Sequence, residues 1–142
     1  MTTEAIYHDE LVRMARAATG AGRLEDPQGS ATLDNPLCGD RVTMEVRLGQ
    51  GRIAALAHQV RGCLLCEAAA SLLGRAAVGA TPAEVAEARD GAAAVLASGI
   101  APSGGPWATL ELFRPVRGTR SRHRCVMLPF DALVEALAKA EG

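Results

Sequence analysis

The four cysteines of this 142-residue chain are the residues whose chemistry is most informative. Cys38 follows a stretch rich in turn-forming residues, Cys63 stands where a strand pattern changes to a helical one, and Cys125 begins the last helical pattern. A helix N-terminus lowers the pKa of a thiol, because its free N–H groups and its dipole favour the thiolate. Three thiolates and one carboxylate, such as that of Asp40, form a plausible tetrahedral ligand set for zinc, or for iron in a cluster.

The fourth cysteine, Cys66, forms a C-x-x-C pair with Cys63. No second pair of this kind occurs in the sequence, so the pattern does not predict a zinc ribbon. Cys66 would lie one turn into a helix, as a further thiolate near the site, a redox partner of Cys63, or a packed side chain. We favour packing or mere proximity, because a buried cysteine is usually inert.

Composition excludes several classes of function. Hydrophobic residues make up 49% and charged residues 22% of the chain, which is an ordinary globular mixture. Only 3% of the residues are aromatic, which disfavours a module that stacks nucleic-acid bases. The net charge of -1 gives no electrostatic reason to expect nucleic acid or a membrane as a partner.

The compartment is predicted from the absence of targeting patterns. The first ten residues contain acidic side chains and no apolar segment, so they do not resemble a signal peptide. The longest uncharged run, 91–110, contains two prolines and four glycines and is interpreted as a helix end and a loop, not as a membrane span. These patterns predict a cytoplasmic protein, in which cysteines stay reduced and serve metal or thiol chemistry before disulfides.

The periodicity of apolar residues predicts an α+β fold in which a small antiparallel sheet packs against helices in a single compact domain. Val42, Met44, Val46 and Leu48 alternate with polar residues and predict the first strand of a hairpin. The sequence does not place a third strand. The predicted elements are a helix over 6–18 that Gly20 can end, a loop over 26–36, the hairpin strands around a turn at 49–51, helices over 63–78 and 81–97, a short helix over 107–113, a connection over 115–121, and a closing helix over 122–140. Thr81 as N-cap and Glu84 as the capping-box acid open the helix over 81–97.

Three motifs carry a resemblance to a known family. Residues 35–40, Asn-Pro-Leu-Cys-Gly-Asp, resemble the N-P-x-C-G-D signature of NifU/IscU/SufU-type iron–sulfur cluster assembly scaffolds. Gly62 and Cys63, followed by the small residues 68–71, resemble the second signature of that family. Residues 122–133 resemble its third signature, R-x-x-C-x-x-L-x-[WF]-x-A-L. The motifs occur in the family's order and cover most of the chain from Asn35 onward.

The resemblance implies a SufE/NifU-like fold and a single NifU N-terminal or IscU-like domain over residues 1–142. It also implies that Cys38, Asp40, Cys63 and Cys125 cluster at one exposed end, where they bind iron, zinc or a transient [2Fe–2S] or [4Fe–4S] cluster. Cys125 and Cys38 are then the candidate persulfide acceptors. The implied partners are a cysteine desulfurase as sulfur donor and apo iron–sulfur proteins as recipients of the cluster.

Two functions remain open at this point. The first is a scaffold, which is not an enzyme. The second is a zinc-dependent sulfurtransferase of the SufU type, which the long segment between Cys63 and Cys125 and the presence of Arg124 before Cys125 favour by resemblance. A thiol–disulfide oxidoreductase ranks lower, because the βαβ pattern that usually surrounds a redox C-x-x-C is missing.

The remaining candidates near the site are basic residues. His58 and His123 are candidate ligands by chemistry. His58 lies in the second strand, and His123 lies two residues before Cys125 on a different part of the helix turn, so we disfavour that role for both. Arg122 and Arg124 could stabilise a persulfide or attract an acidic partner.

Overall fold

A three-stranded antiparallel sheet with the order β1-β2-β3 and four α-helices form the fold, in a computed structural model that describes residues 2–141. This arrangement confirms the predicted α+β class. Two short 3-10 segments, Ala108–Gly118 and Arg120–Arg122, precede the last helix. The strands are β1 (Gly29–Asn35), β2 (Asp40–Gly49) and β3 (Arg52–Arg61), and the helices are α1 (Thr3–Ala17), α2 (Leu64–Ala76), α3 (Pro82–Ser98) and α4 (His123–Glu141).

The hairpin formed by β2 and β3 confirms the prediction from alternating residues. Val42, Met44 and Val46 are fully buried, whereas the residues between them face outward or are half-buried. The connecting turn has positive φ at Gln50 (55°) and at Gly51 (75°). Two consecutive positive φ angles suit the right-handed twist of the strands that such a turn joins.

The prediction of a loop over residues 26–36 is wrong, because most of this stretch is β1. The turn-forming residues of this stretch led to the prediction of a loop. The strand pairs in register with β2, from Gly29 opposite Val46 to Asn35 opposite Asp40. A side chain at Gly29 would collide with the backbone carbonyl of Ala136 in α4. Tertiary contacts therefore create this strand, since glycine and other small residues allow α4 to lie directly on it.

The helices begin and end close to the predicted positions. The Thr81 side chain accepts a hydrogen bond from Glu84 N (3.1 Å), and the Glu84 carboxylate accepts one from Thr81 N (3.2 Å), which confirms the predicted capping box. α1 ends earlier than predicted, at a left-handed Ala18 and not at Gly20. The predicted helix over 107–113 is a 3-10 segment, and it continues into the stretch predicted as a connection.

α4 is the central helix of the core. It contacts β1 and β2 on one side and α2 and α3 on the other. Phe113 and Phe130 are the largest buried side chains, and the rest of the core consists mainly of Leu, Val, Met and Ala. Among the helices of residues 2–141, none combines the length and the apolar character that crossing a membrane requires.

Candidate metal and sulfur site

Three parts of the chain meet at one end of the sheet and bring the predicted site residues together. β1 ends and β2 begins there, joined by the loop that carries Cys38, while Asp40 is the first residue of β2. β3 ends at the same place and leads into Cys63, the N-cap residue of α2. Cys125 lies in the first turn of α4, which crosses β1 and β2.

The loop between β1 and β2 is a tight turn built on Asn35. The Asn35 carbonyl accepts hydrogen bonds from Cys38 N (3.2 Å) and Gly39 N (2.9 Å). Gly39 has φ of +71°, a conformation that glycine adopts without strain. As a result Cys38 is exposed and Leu37 beside it is 94% exposed, so the tip of this loop is open to a partner.

Asp40 is only 2% exposed and joins the strand to the helix. Its Oδ1 atom accepts a hydrogen bond from Cys63 N (3.0 Å), and its Oδ2 atom lies 4.0 Å from Cys63 Sγ. Gly62 allows this approach, because a Cβ atom at that position would lie 2.7 Å from Asp40 Oδ1. One carboxylate oxygen therefore caps α2, and the other faces the thiols.

The thiols of Cys38 and Cys125 lie next to each other, with 3.5 Å between their sulfur atoms. Cys38, Asp40 and Cys125 can each place one ligand atom so that all three lie within 4.8 Å of one another. Cys63 lies beside this group through its contact with Asp40. Two sulfurs bound to one tetrahedral zinc at 2.3 Å would be about 3.8 Å apart, so the observed spacing suits a shared metal.

The Cys125 thiol is buried, and the carboxylate and thiols beside it disfavour its ionisation. Burial raises the pKa of Cys125, and contacts with Asp40, Cys38 and Cys63 raise it further. A bound cation reverses this preference, because it stabilises the thiolate and the carboxylate together. The donor set of soft sulfurs and one carboxylate is therefore suited to zinc or iron.

Asn35 is a residue of this site that the sequence suggested only as part of a motif. It is buried, and its Nδ2 atom lies 3.9 Å from Cys125 Sγ, where its N–H group donates to the sulfur. Its place directly before Pro36 in the first signature was the available signal.

The other two candidates, Cys66 and His58, are held by packing or by backbone contacts. Cys66 is fully buried in the hydrophobic core, and burial, followed by the charges of Asp40, Cys63 and Glu67, raises the pKa of its thiol. His58 Nε2 lies 2.8 Å from the carbonyl of Thr19. These contacts favour packing for Cys66 and a structural role for His58.

Two of the three basic residues of the third motif, His123 and Arg124, have partners of their own. His123 Nε2 lies 2.9 Å from the carbonyl of Arg117. Arg124 forms an ion pair with Asp131 (2.6 Å), which holds its guanidinium along the surface of α4. Arg122 is exposed.

Comparison with known proteins identifies the family. The family model for the NifU-like N terminal domain matches residues 6–100. The chain belongs to this NifU-like family. A crystal structure of the N-terminal part of a nitrogen-fixing NifU-like protein from Brucella abortus superposes with a TM-score of 0.90 at 32% identity, covering 97% of this chain and 96% of that one.

Two curated proteins and one further solved structure are also similar to this chain. Two proteins of Archaeoglobus fulgidus, named iron–sulfur cluster assembly scaffold proteins IscU 1 and IscU 2, are each 30% identical over 76 residues. The chain spans about half the length of these curated relatives, since the match covers 54% of this chain and 50% of each of them. A candidate scaffold for the SUF system from Fervidobacterium islandicum, with a TM-score of 0.83 at 21% identity over 96% of this chain and 99% of that one, shares the fold.

Proposed function

We propose that this NifU-like chain is an iron–sulfur cluster assembly scaffold. It accepts sulfur from a cysteine desulfurase and holds iron or a transient [2Fe–2S] or [4Fe–4S] cluster through Cys38, Asp40, Cys63 and Cys125. The observation that supports this function best is the convergence of Cys38, Asp40 and Cys125 to within 4.8 Å at one end of the sheet. The names of the Archaeoglobus relatives support it as well.

The proposal treats residues 1–142 as one functional domain. The family model ends at residue 100, but Cys125 lies beyond that point, in α4. Because α4 packs on β1 and β2, the part of the chain outside the match completes both the core and the ligand set. A cytoplasmic location, where thiols stay reduced, suits this chemistry.

Exposure suggests the order in which the thiols act. Cys38 is exposed, whereas Cys125 is buried. The two sulfur atoms lie 3.5 Å apart. In the proposed step, the Cys38 thiolate attacks the terminal sulfur of a persulfide on the desulfurase. A new S–S bond forms on Cys38, the donor's S–S bond breaks, and the donor's cysteine leaves as a thiolate. Cys125 can then take the same sulfur from Cys38 by a second exchange within the chain. The cluster that is built passes to an apo iron–sulfur protein.

A zinc-dependent sulfurtransferase is the second candidate function. The spacing of the Cys38 and Cys125 sulfurs suits one tetrahedral ion, and three thiolates with one carboxylate complete four ligands. In this function zinc would hold the thiols in place, and no cluster would be built.

Anaerobic reconstitution with iron, cysteine and a desulfurase tests the scaffold function. We expect an absorption band from sulfide-to-iron charge transfer in the wild type, together with bound iron and sulfide. Cys38→Ser, Cys63→Ser and Cys125→Ser should each lose the band. Cys66→Ala is the matched control and should keep it, since Cys66 belongs to the core.

The same preparations separate the two functions. Zinc that is retained through purification, with sulfur uptake from the desulfurase in the absence of iron and no charge-transfer band, would establish the sulfurtransferase in place of the scaffold. A wild-type protein that binds neither metal nor cluster would overturn both.

A further inference from the structure

The outward face of the sheet carries three arginines at the end nearest the thiols. Arg23, Arg41 and Arg61 surround a shallow depression of about 380 Å³, together with Thr32, Thr43, Gln59 and Val60. We call the six polar residues of this set the arginine face. Arg41 belongs to β2 and Arg61 to β3, while Arg23 lies in the segment that runs along the edge of β3 through Ala21.

The charges of the arginine face are poorly balanced within the protein. Arg41 and Arg61 stand directly opposite each other on neighbouring strands, where like charges destabilise a sheet. Asp34 pairs with Arg41 at 2.7 Å. In the part of the chain that the structure describes, Arg23 and Arg61 have no carboxylate partner and donate no hydrogen bond from their side chains.

The far end of the same sheet surface is different, because its polar groups are satisfied internally. Arg47 donates to the carbonyls of Glu25 (3.0 Å) and Asp26 (3.3 Å). Glu45 accepts a hydrogen bond from Leu24 N (3.0 Å). Glu45 supplies a carboxylate on the same face of β2 as Arg47, so the arginines that have no carboxylate partner among the described residues, Arg23 and Arg61, lie toward the end of the sheet that leads to the site.

The arginine face and the thiols lie at the same end of the sheet, on its two opposite faces. Arg41 directly follows Asp40, and because successive strand residues face opposite sides, Asp40 faces inward and Arg41 outward. Arg61 lies two residues before Cys63. A partner held on the arginine face would thus sit at the end of the molecule where Cys38 is exposed.

We propose that the arginine face docks an acidic segment of a protein partner beside the thiols. Carboxylates of that segment would pair with Arg23 and Arg61 and relieve the repulsion between Arg41 and Arg61. Nucleic acid fits this surface less well, because none of its six residues is aromatic and the chain as a whole carries a net charge of -1. The inference concerns the metal-free chain and does not depend on the proposed cluster chemistry.

Binding of a fluorescent peptide made of glutamates to the 142-residue chain tests the proposal. The control ligands are a glutamine peptide of equal length, inorganic phosphate and a single-stranded oligonucleotide. We expect the glutamate peptide to bind, and its affinity should fall as the salt concentration rises. Its affinity for the Arg23→Gln/Arg61→Gln double variant should be about threefold to tenfold lower than for the wild type.

The matched control is the Arg16→Gln/Arg120→Gln double variant, which removes the same charge from exposed positions elsewhere. It should bind the peptide like the wild type, and circular dichroism should show that both variants are folded. Equal weakening in the two double variants would overturn the proposal, since the effect would then come from total charge. Displacement of the peptide by phosphate at the same concentration, or tighter binding of the oligonucleotide, would overturn it as well.

Discussion

Asp40 Oδ1 accepts a hydrogen bond of 3.0 Å from the backbone N–H of Cys63. Cys63 is the N-cap residue of α2, but its own side chain makes no capping hydrogen bond. The carboxylate at the start of β2 therefore supplies the cap that the helix lacks, and it does so from within the group of proposed ligands. Asp40 couples the stability of α2 to the geometry of the thiols.

Substitution of Asp40 should separate these two roles. Asp40→Ala removes both the cap and the negative charge, and should lower the free energy of unfolding by about 1 to 2 kcal/mol. Asp40→Asn keeps an oxygen that can accept from Cys63 N and should be clearly more stable than Asp40→Ala. Both variants should bind zinc more weakly. Urea denaturation and chelator competition measure the two effects, and equal stabilities of the two variants would contradict the capping role.

Gly62→Ala should disturb the candidate site while leaving its proposed ligands unchanged. The new Cβ atom would lie 2.7 Å from Asp40 Oδ1, so the carboxylate must move away from Cys63 N. We expect weaker zinc binding, measured by chelator competition, and a loss of about 1 kcal/mol in stability. Gly104→Ala is the control, because an added Cβ there has no neighbour within 4 Å. Unchanged zinc affinity in Gly62→Ala would show that Asp40 needs no such space.

Replacement of two glycines inside helices by alanine should change the stability of the protein in opposite directions. In α2, a side chain at Gly74 would collide with the backbone carbonyl of Thr19, so Gly74→Ala should destabilise the protein by about 1 to 3 kcal/mol. In α3, the nearest atom to a Cβ at Gly91 is Leu110 Cδ1 at 3.4 Å, an ordinary contact. Gly91→Ala should therefore stabilise by about 0.5 to 1 kcal/mol. Thermal and urea unfolding of both variants check the contrast, which fails if the two changes have the same sign.

His58 should make stability depend on pH. It is 3% exposed, its Nε2 atom contacts the carbonyl of Thr19, and its Nδ1 atom has no partner within the described residues. Burial lowers the pKa of His58 below its ordinary value of 6.5, although the contact with Thr19 opposes the shift. Below pH 6.5 the unfolded chain then binds more protons than the folded one, so stability should fall as pH decreases.

The comparison of wild type with His58→Gln isolates this effect. Urea denaturation between neutral pH and about pH 5 should show a steeper loss of stability in the wild type. Parallel curves for the two proteins would show that His58 keeps its ordinary pKa in the folded state.

The sequence predicts the hairpin and the capped helices well, because their signals are local. The alternation around Met44 and the capping box at Thr81 each lie within a few residues. β1 has no such signal. Turn formers stand at both of its ends, and it becomes a strand because β2 offers a partner and because Gly29 lets α4 approach. Such long-range contacts are invisible in the local pattern.

For the candidate site, too, the sequence predicts some features and not others. Its residues could be predicted from three motifs, but the sequence does not contain their relative positions. It cannot reveal that Asp40 caps α2, that Cys125 is buried while Cys38 is exposed, or that Asn35 donates to Cys125. Each of these depends on how β1, β2 and α4 meet.

The contact between Asn35 and Cys125 leads to the last prediction. A hydrogen bond donated to a ligand sulfur stabilises negative charge on it, and such bonds tune both the affinity of a site and the reduction potential of a cluster. Asn35→Ser shortens the side chain so that it no longer reaches Cys125 Sγ, which is 3.9 Å from Nδ2 in the native protein. We expect zinc affinity to fall about tenfold or more.

The reduction potential of the cluster distinguishes a hydrogen bond from Asn35 to the sulfur from a merely structural role of Asn35. If the reconstituted cluster in Asn35→Ser has a lower reduction potential than in the wild type, the lost N–H group acted on the sulfur, because the reduced cluster carries the extra negative charge. Asn35→Asp should lower the potential further, since an anion then replaces the donor. Chelator competition and a redox titration measure both quantities. An unchanged potential with reduced stability would instead assign Asn35 to the packing of the turn that positions Cys38.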